Sequence, residues 1–185
     1  MTKTALIVVD VQNDFAHPDG NLCVNGGEEA IHYINRMVPD YDVVIYTKDF
    51  HPEVTTHFAD YGGPWPTHCV KGTWGSEFHR DLRVETDAPI VLKGIDPNVD
   101  GYSGFYYEDD EGHHETQLNS LLTDLGVDEV CIVGIALDVC VKATALDAVY
   151  LGYDTVVVRR ATAPVTPEGG DQAIIDLTEA GVTIL

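Results

Sequence analysis

Four polar residues follow four different apolar stretches of the chain, and together they could carry out nucleophilic catalysis. Asp10, Asp49 and Lys93 each come at the end of a short apolar run, and Cys140 lies one turn beyond another. A thiol can act as the nucleophile, a carboxylate can take its proton, and a neighbouring cation can stabilise the charges. Singly, each residue has an ordinary interpretation as a turn residue, a solvated lysine or a buried thiol. Their similar positions favour the catalytic interpretation.

Three imidazoles and one carboxylate lie in a long segment with little helical or strand periodicity. Asp49, His51, His57 and His68 follow the spacing D-x-H-x5-H-x10-H, whereas the adjacent Cys69 is interpreted as a packing residue. Long loops inside a compact domain are usually functional. Imidazole and carboxylate ligands suit Zn²⁺, Fe²⁺ or Mn²⁺, with water completing an open coordination sphere. The spacing alone leaves open whether a metal ion is bound.

Short apolar strands alternate with amphipathic helices and must position these groups. The predicted strands are Ala5 to Val9, Asp42 to Thr47, Pro89 to Leu92, Val130 to Ile135, Thr155 to Val158 and Val182 to Leu185. The predicted helices are Gly27 to Val38, Leu118 to Leu125, Asp138 to Gly152 and Asp171 to Ala180. This alternation predicts an α/β fold, a three-layer doubly wound parallel sheet of about six strands with helices on both faces. Ligands bind beyond the carboxyl ends of such strands, where the four polar residues are expected.

The stretch from Val130 to Gly152 is expected to hold the nucleophile. Its apolar run predicts a strand buried on both faces, and the helical spacing from Asp138 predicts a helix after a tight turn. Cys140 would lie in the first helical turn, where unpaired N–H groups and the helix dipole favour a thiolate. A free thiol with a pKa of about 8.5 is only slightly ionised at neutral pH, so this position would increase its reactivity.

The composition predicts one domain, residues 1–185, with a strongly acidic surface. Of 185 residues 44% are hydrophobic, and 10 Lys and Arg stand against 31 Asp and Glu, giving a net charge of −21. Such a surface repels phosphate backbones and anionic lipid, which argues against nucleic-acid and membrane partners. It is either an ordinary solvated surface or an adaptation to high salt, and the composition leaves both open.

The cysteines indicate a reducing compartment. Cys23, Cys69, Cys131 and Cys140 show no CxxC spacing, and the chain enters its first strand without a leader segment. We therefore expect a cytoplasmic enzyme. The acidic segment from Tyr107 to Glu115 matches no motif.

Six motifs, in order along the chain, carry a resemblance to a known family. They are VVDVQNDF (8–15), TKDFHPEVTTHF (47–58), GPWPTHC (63–69), KG (93–94), GYSGF (101–105) and GIALDVCV (134–141). The chain resembles the isochorismatase-like cysteine hydrolases and, within them, the nicotinamidases, which the histidine-containing loop distinguishes from most relatives. Nicotinamidases hydrolyse nicotinamide to nicotinate and ammonia in NAD salvage and typically also accept pyrazinamide.

The resemblance implies a role for each residue of the predicted site. Cys140 would be the nucleophile, Asp10 the general base and Lys93 the neighbouring cation. The peptide bond between Ile135 and Ala136 would be cis, so that the backbone N–H groups of Ala136 and Cys140 form an oxyanion hole. One divalent metal ion would be bound by Asp49, His51, His57 and His68. The pyridine ring would be enclosed by Phe15, Trp65 and Tyr102.

Two departures from the family pattern lie beside the nucleophile, on its N-terminal side. Leu137 stands where threonine is frequent, and Val139 where an aromatic residue or histidine is frequent. Besides a metal-dependent nicotinamidase, the sequence leaves open another amidase of the superfamily acting on a different small amide, and a non-catalytic binding module. The intact Asp10, Lys93 and Cys140 argue against the binding module. A homo-oligomer is expected.

Overall fold

A six-stranded parallel sheet forms the centre of the computed structural model, which describes residues 2–109 and 111–185. Its strands, numbered along the chain, are β1 (Thr4–Val9), β2 (Val43–Asp49), β3 (Ile90–Lys93), β6 (Glu129–Ile135), β7 (Asp154–Ala163) and β8 (Thr183–Ile184). The strand order is β3-β2-β1-β6-β7-β8, and every neighbouring pair is parallel. A separate antiparallel pair, β4 (Tyr106–Asp109) and β5 (Gly112–Glu115), forms from the acidic segment without a motif.

Five α-helices connect the described strands. They are α1 (Asn13–Ala16), α2 (Gly27–Met37), α3 (Leu118–Asp124), α4 (Lys142–Tyr150) and α5 (Pro167–Glu179). Within residues 2–109 and 111–185, no helix is both long enough and apolar enough to cross a membrane.

The start of α5 and the end of β7 are among the element boundaries that differ from the prediction. Helix α5 begins four residues before Asp171, because the Thr166 side chain accepts a hydrogen bond from the Gly169 N–H and Pro167 occupies the first turn. Strand β7 runs on to Ala163, through polar residues that interrupt the apolar run at Val158. Both errors come from following apolar spacing alone.

The residues of β1 alternate between two hydrophobic cores. Ala5, Ile7 and Val9 pack into one core with α3, α4 and α5, whereas Leu6 and Val8 pack into another with α2. Alternate residues of a strand point to opposite faces, so helices cover both faces of the sheet. The predicted three-layer doubly wound fold is confirmed.

The sheet places a crevice between the carboxyl ends of β1 and β6. From β1 the chain proceeds outward to β2 and β3 on one side, and β6, β7 and β8 lie on the other. Such a reversal of strand order opens a binding crevice at the carboxyl edge. Here the two strands approach closely at Gly134, where an added Cβ would lie 2.1 Å from the Val9 carbonyl oxygen.

Candidate active site and metal centre

Lys93, the last residue of β3, is the centre of a buried cluster that contains all four polar residues predicted to converge. Its Nζ lies 2.7 Å from Asp10 Oδ2 and donates a hydrogen bond of 2.5 Å to Asp49 Oδ1. The same Nζ donates to the Gly101 carbonyl at 3.0 Å and lies 3.5 Å from Cys140 Sγ. Each of the four side chains belongs to a residue that is less than a tenth exposed. An acid, a cation and a thiol therefore meet at one edge of the sheet.

Asp10 is held by β2 as well as by Lys93. The Thr47 hydroxyl donates to Asp10 Oδ1 at 2.6 Å and accepts from the Asp10 N–H at 3.2 Å. Although Asp10 Oδ2 is close to the Lys93 ammonium, its direction is outside hydrogen-bond geometry, so this buried oxygen lacks a directed partner. Asp10 Oδ2 is thus available to accept a proton from a neighbouring donor.

Burial dominates the ionisation of Asp10 and Cys140. It raises the pKa of Asp10, an effect that the positive charge of Lys93 opposes and the negative charge of Asp49 strengthens. Burial also raises the pKa of the Cys140 thiol well above its usual value, despite Lys93. Burial in this site therefore favours the thiol form of Cys140.

The backbone around Cys140 differs from the predicted α-helical turn. Cys140 belongs to a π-helical turn, Leu137–Val141, which precedes α4. Residue-type spacing does not distinguish such a turn from α-helix. Burial of the enclosed sulfur opposes formation of a thiolate at this turn.

The charges of Lys93 and Asp49 support each other. Burial would lower the pKa of Lys93, but Asp10 and Asp49 hold it well above its usual value. Burial would likewise raise the pKa of Asp49, but the positive charge of Lys93 holds it well below its usual value. Both groups are therefore charged near neutral pH.

The imidazole rings of the three histidines that were predicted as metal ligands lie around one point beside Asp49. Their ring centroids are 4.6 Å apart for His51 and His57, 5.2 Å for His51 and His68, and 5.3 Å for His57 and His68. One ring nitrogen of each lies within 4.8 Å of those of the other two. Asp49 Oδ2 is 3.5 Å from His51 Nε2 and 3.7 Å from His68 Nε2.

Each of these rings has its Nδ1 bound to an oxygen on the side away from the cluster. Because carbonyl and carboxylate oxygens only accept, each Nδ1 carries the proton and each Nε2 keeps a lone pair. The acceptors are Gly94 O for His51 at 3.0 Å, Asp100 Oδ1 for His57 at 2.6 Å and Pro66 O for His68 at 2.7 Å.

These residues fit a divalent metal ion. His51 is fully buried, and its Nε2 has no hydrogen-bond partner in the described part of the chain. A buried lone pair without a partner is costly, and convergent imidazoles with a carboxylate are typical ligands of divalent transition metals. Fixed Nδ1 protons are the usual outer contacts of metal-binding histidines.

A small hollow lies between the thiol and the imidazoles. The hollow is narrow and partly enclosed, which restricts its ligand to a small molecule. The predicted aromatic residues Phe15, Trp65 and Tyr102 line it, and the Trp65 indole donates to the Tyr102 hydroxyl at 3.0 Å. Three apolar lining residues were not predicted from the sequence: Leu22, Val24 and Val165. Val139, one of the two departures from the family pattern, lines the hollow as well.

The turn that carries Cys140 also borders the hollow through Ala136. The Ile135–Ala136 peptide bond is cis, as the resemblance implies. The Ala136 carbonyl accepts hydrogen bonds from the N–H groups of Val139 at 3.1 Å and Val141 at 3.0 Å, which holds the turn in place. Ala136 and Cys140 both line the hollow.

Two supporting polar residues were not assigned a role from the sequence, although they lie in the motif VVDVQNDF. The Gln12 side chain donates to the Asp49 carbonyl at 2.7 Å and accepts from the Asp49 N–H at 2.8 Å. Asp14 accepts a hydrogen bond from the Cys69 N–H at 2.7 Å. The sequence feature that could have indicated their supporting role is the run of polar residues directly after a buried strand.

The chain is similar to known proteins over nearly its whole length. The Isochorismatase domain model matches residues 4–185. The nicotinamidase/pyrazinamidase of Mycobacterium tuberculosis is 41% identical over 98% of this chain and 97% of its own length. The structure of PnC1 from L. infantum in complex with nicotinate is 36% identical, with a TM-score of 0.93 over 100% of this chain and 92% of that one.

A third similar protein is the pyrazinamidase of Pyrococcus horikoshii, whose structure was solved in complex with zinc. It is 37% identical, with a TM-score of 0.88 over 99% of this chain and 98% of that one. From the fold, the residues that the family model matches and these sequence identities, we conclude that the chain belongs to the isochorismatase family.

Proposed function

We propose that this protein is a metal-dependent cysteine amidase that hydrolyses nicotinamide to nicotinate and ammonia, and that it also hydrolyses pyrazinamide. The observation that carries the proposal is the arrangement of Cys140 and Asp10 around Lys93, beside three imidazoles in one aromatic hollow. Similarity to nicotinamidases supports the choice of substrate. A role in NAD salvage follows from that reaction.

Substrate binding would use the aromatic walls and the metal centre together. A divalent ion held by Asp49, His51, His57 and His68 would supply a Lewis-acidic binding point for the pyridine nitrogen. Phe15, Trp65 and Tyr102 would enclose the ring, exclude water and direct the carboxamide towards Cys140. Such orientation is worth several kcal/mol in favourable cases.

The first half of the reaction forms a thioester. Cys140 Sγ bonds to the carboxamide carbon while its proton passes to Asp10 Oδ2, which lacks a directed partner. The N–H groups of Ala136 and Cys140 would hold the negative oxygen, and one such donor is worth about 3 kcal/mol. Asp10 then gives the proton to the amine, the C–N bond breaks, and ammonia leaves.

The second half releases the acid and restores the enzyme. Asp10, again a carboxylate, takes a proton from water as the water oxygen bonds to the thioester carbon. The C–S bond breaks, and the sulfur regains a proton from Asp10, while nicotinic acid departs and releases its proton to water as nicotinate. Lys93 supports both halves, because its ammonium stabilises the charged forms of Asp10 and Cys140 at contact distance.

The proposal places the protein in a reducing, cytoplasmic setting and in a homo-oligomer. All four cysteines are free thiols, which supports the reducing setting. The edge strand β3 leaves Ile90 and Leu92 45% and 37% exposed, which supports association with another copy. Light scattering on the purified protein measures the oligomeric state directly.

Ammonia release from nicotinamide tests the function. We expect turnover by the wild type, none by Cys140→Ala, and loss of turnover after chelation that added metal restores. Full turnover by Cys140→Ala would exclude the assigned nucleophile. An unchanged rate after chelation would exclude the metal dependence, and hydrolysis of other small amides but not of nicotinamide would favour a different amidase.

A further inference from the structure

Asp100 distinguishes one imidazole of the centre from the other two. His51 and His68 direct their Nδ1 protons to the neutral carbonyl oxygens of Gly94 and Pro66. His57 directs its Nδ1 proton to the Asp100 carboxylate at 2.6 Å. A carboxylate behind a histidine raises the electron density on the opposite ring nitrogen more than a carbonyl does.

The position of Asp100 makes this contact more than a surface ion pair. Its side chain is 51% exposed, whereas that of His57 is 3% exposed, so the carboxylate reaches inward from the protein surface to a buried ring. The segment that carries Asp100 is fixed independently, because the Thr56 N–H donates to the Pro97 carbonyl at 2.8 Å. This backbone hydrogen bond links the segment of His57 to the segment of Asp100 and so supports the contact between the two side chains.

Asp100 also adjoins the residues that serve the thiol and the hollow. The carbonyl of the next residue, Gly101, accepts from Lys93 Nζ at 3.0 Å. Tyr102 then lines the hollow, with its ring centroid 5.6 Å from that of His57. One short segment thus contacts the imidazole cluster, the catalytic ammonium and the ring-binding wall.

We infer that Asp100 is a positioning residue for the metal centre: its carboxylate fixes the orientation and tautomer of His57 and strengthens His57 Nε2 as a ligand. The inference rests on the proposed metal centre. It assigns a function to a half-exposed carboxylate that belongs neither to the ligands nor to the catalytic cluster.

Metal affinity, measured apart from catalysis, tests the inference. Zn²⁺ binding by the metal-free wild type, Asp100→Ala and Asp100→Asn is measured in competition with a coloured chelator. We expect Asp100→Ala to weaken Zn²⁺ affinity roughly 10–100-fold. Asp100→Asn keeps an oxygen that accepts from Nδ1 but loses the charge, so it should fall between Asp100→Ala and the wild type.

Two controls separate positioning from loss of charge or fold. Asp60→Asn removes a negative charge from an exposed site three residues after His57 and should leave Zn²⁺ affinity unchanged. The metal-free Asp100→Ala should unfold at the temperature of the wild type, and bound Co²⁺ should show a changed visible spectrum in Asp100→Ala only.

The outcomes distinguish this inference from the proposed function. Wild-type Zn²⁺ affinity in Asp100→Ala would overturn the inference while leaving the metal centre in place. An equal loss of affinity in Asp60→Asn would overturn it too, because net charge alone would then explain the effect. A wild type that binds no divalent ion would overturn the metal centre itself.

Discussion

Lys93 Nζ and Asp49 Oδ1 are joined by a hydrogen bond of 2.5 Å in a site from which water is nearly excluded. The other oxygen of Asp49 faces His51 Nε2 at 3.5 Å, and Lys93 also reaches Cys140 Sγ at 3.5 Å. The Asp49 carboxylate therefore connects the imidazole cluster to the ammonium beside Cys140, the proposed nucleophile. A substitution in the imidazole cluster or in the Lys93 cluster should therefore affect the other cluster.

Replacement of Lys93 by methionine should damage both stability and activity. The substitution leaves Asp10 and Asp49 buried without their common cation, and breaking a buried ion pair costs roughly 3–5 kcal/mol. We expect the free energy of unfolding of the metal-free protein to fall by about that amount, as measured in urea, and ammonia release to be lost.

A matched control for this substitution is Lys71→Met. Lys71 is exposed, so its loss should change the free energy of unfolding only slightly. If Lys93→Met unfolded at the same urea concentration as Lys71→Met, the buried cation would not have the electrostatic role assigned to it.

Replacement of Thr47 by valine should move the acidic limb of the pH–rate profile to higher pH. The Thr47 hydroxyl donates to Asp10 Oδ1 at 2.6 Å and thereby lowers the pKa of that carboxyl. Without the donor the pKa of Asp10 rises, so a higher pH is needed to generate the carboxylate that accepts the thiol proton.

The control for this prediction is Thr155→Val, which removes a buried hydroxyl in β7 that donates to the Tyr153 carbonyl. Its acidic limb should coincide with that of the wild type. The role of Asp10 as proton acceptor is contradicted if kcat/KM of Thr47→Val follows the wild-type pH dependence.

Alkylation of Cys140 should be slow at neutral pH and accelerate with pH. Burial raises the pKa of this thiol well above its usual value, and only the thiolate is the nucleophile. Below that pKa the thiolate fraction grows about tenfold per pH unit, so the rate of modification in the absence of substrate should do the same. Mass spectrometry of iodoacetamide-treated protein measures the rate, and the exposed Cys23 serves as an internal reference. A rate at Cys140 that is independent of pH between about 6 and 8 would show a resting thiolate instead.

Some site residues could be predicted because their neighbours in the sequence indicate their position. Others could not, because only a partner far away in the sequence defines their role. Asp10, Asp49 and Lys93 could be placed because each follows an apolar strand, and parallel strands bring their carboxyl ends to one edge. Thr47 and Asp100 could not, because each acts through a partner more than thirty residues away, and nothing near them in sequence indicates that partner.

Some details of the helices were also not predictable from the sequence. Apolar spacing identified the existence of every strand of the main sheet, yet it missed the cap at Thr166 that starts α5 early. It also assigned ordinary helix to the π-helical turn around Cys140, since both conformations bury residues at similar spacing. Backbone hydrogen bonds decide such details, and residue type constrains them only weakly.

The excess of acidic residues should make stability depend on salt. With a net charge of −21 on 185 residues, like charges repel in the folded state, and molar salt shortens the screening distance from about 10 Å to about 3 Å. We expect the Tm to rise as NaCl increases from low to molar concentration. The triple variant Glu53→Gln, Asp124→Asn, Glu179→Gln removes three exposed negative charges and should show a shallower rise. A Tm that stays level or falls with salt in the wild type would exclude adaptation to high salt and leave an ordinary solvated surface.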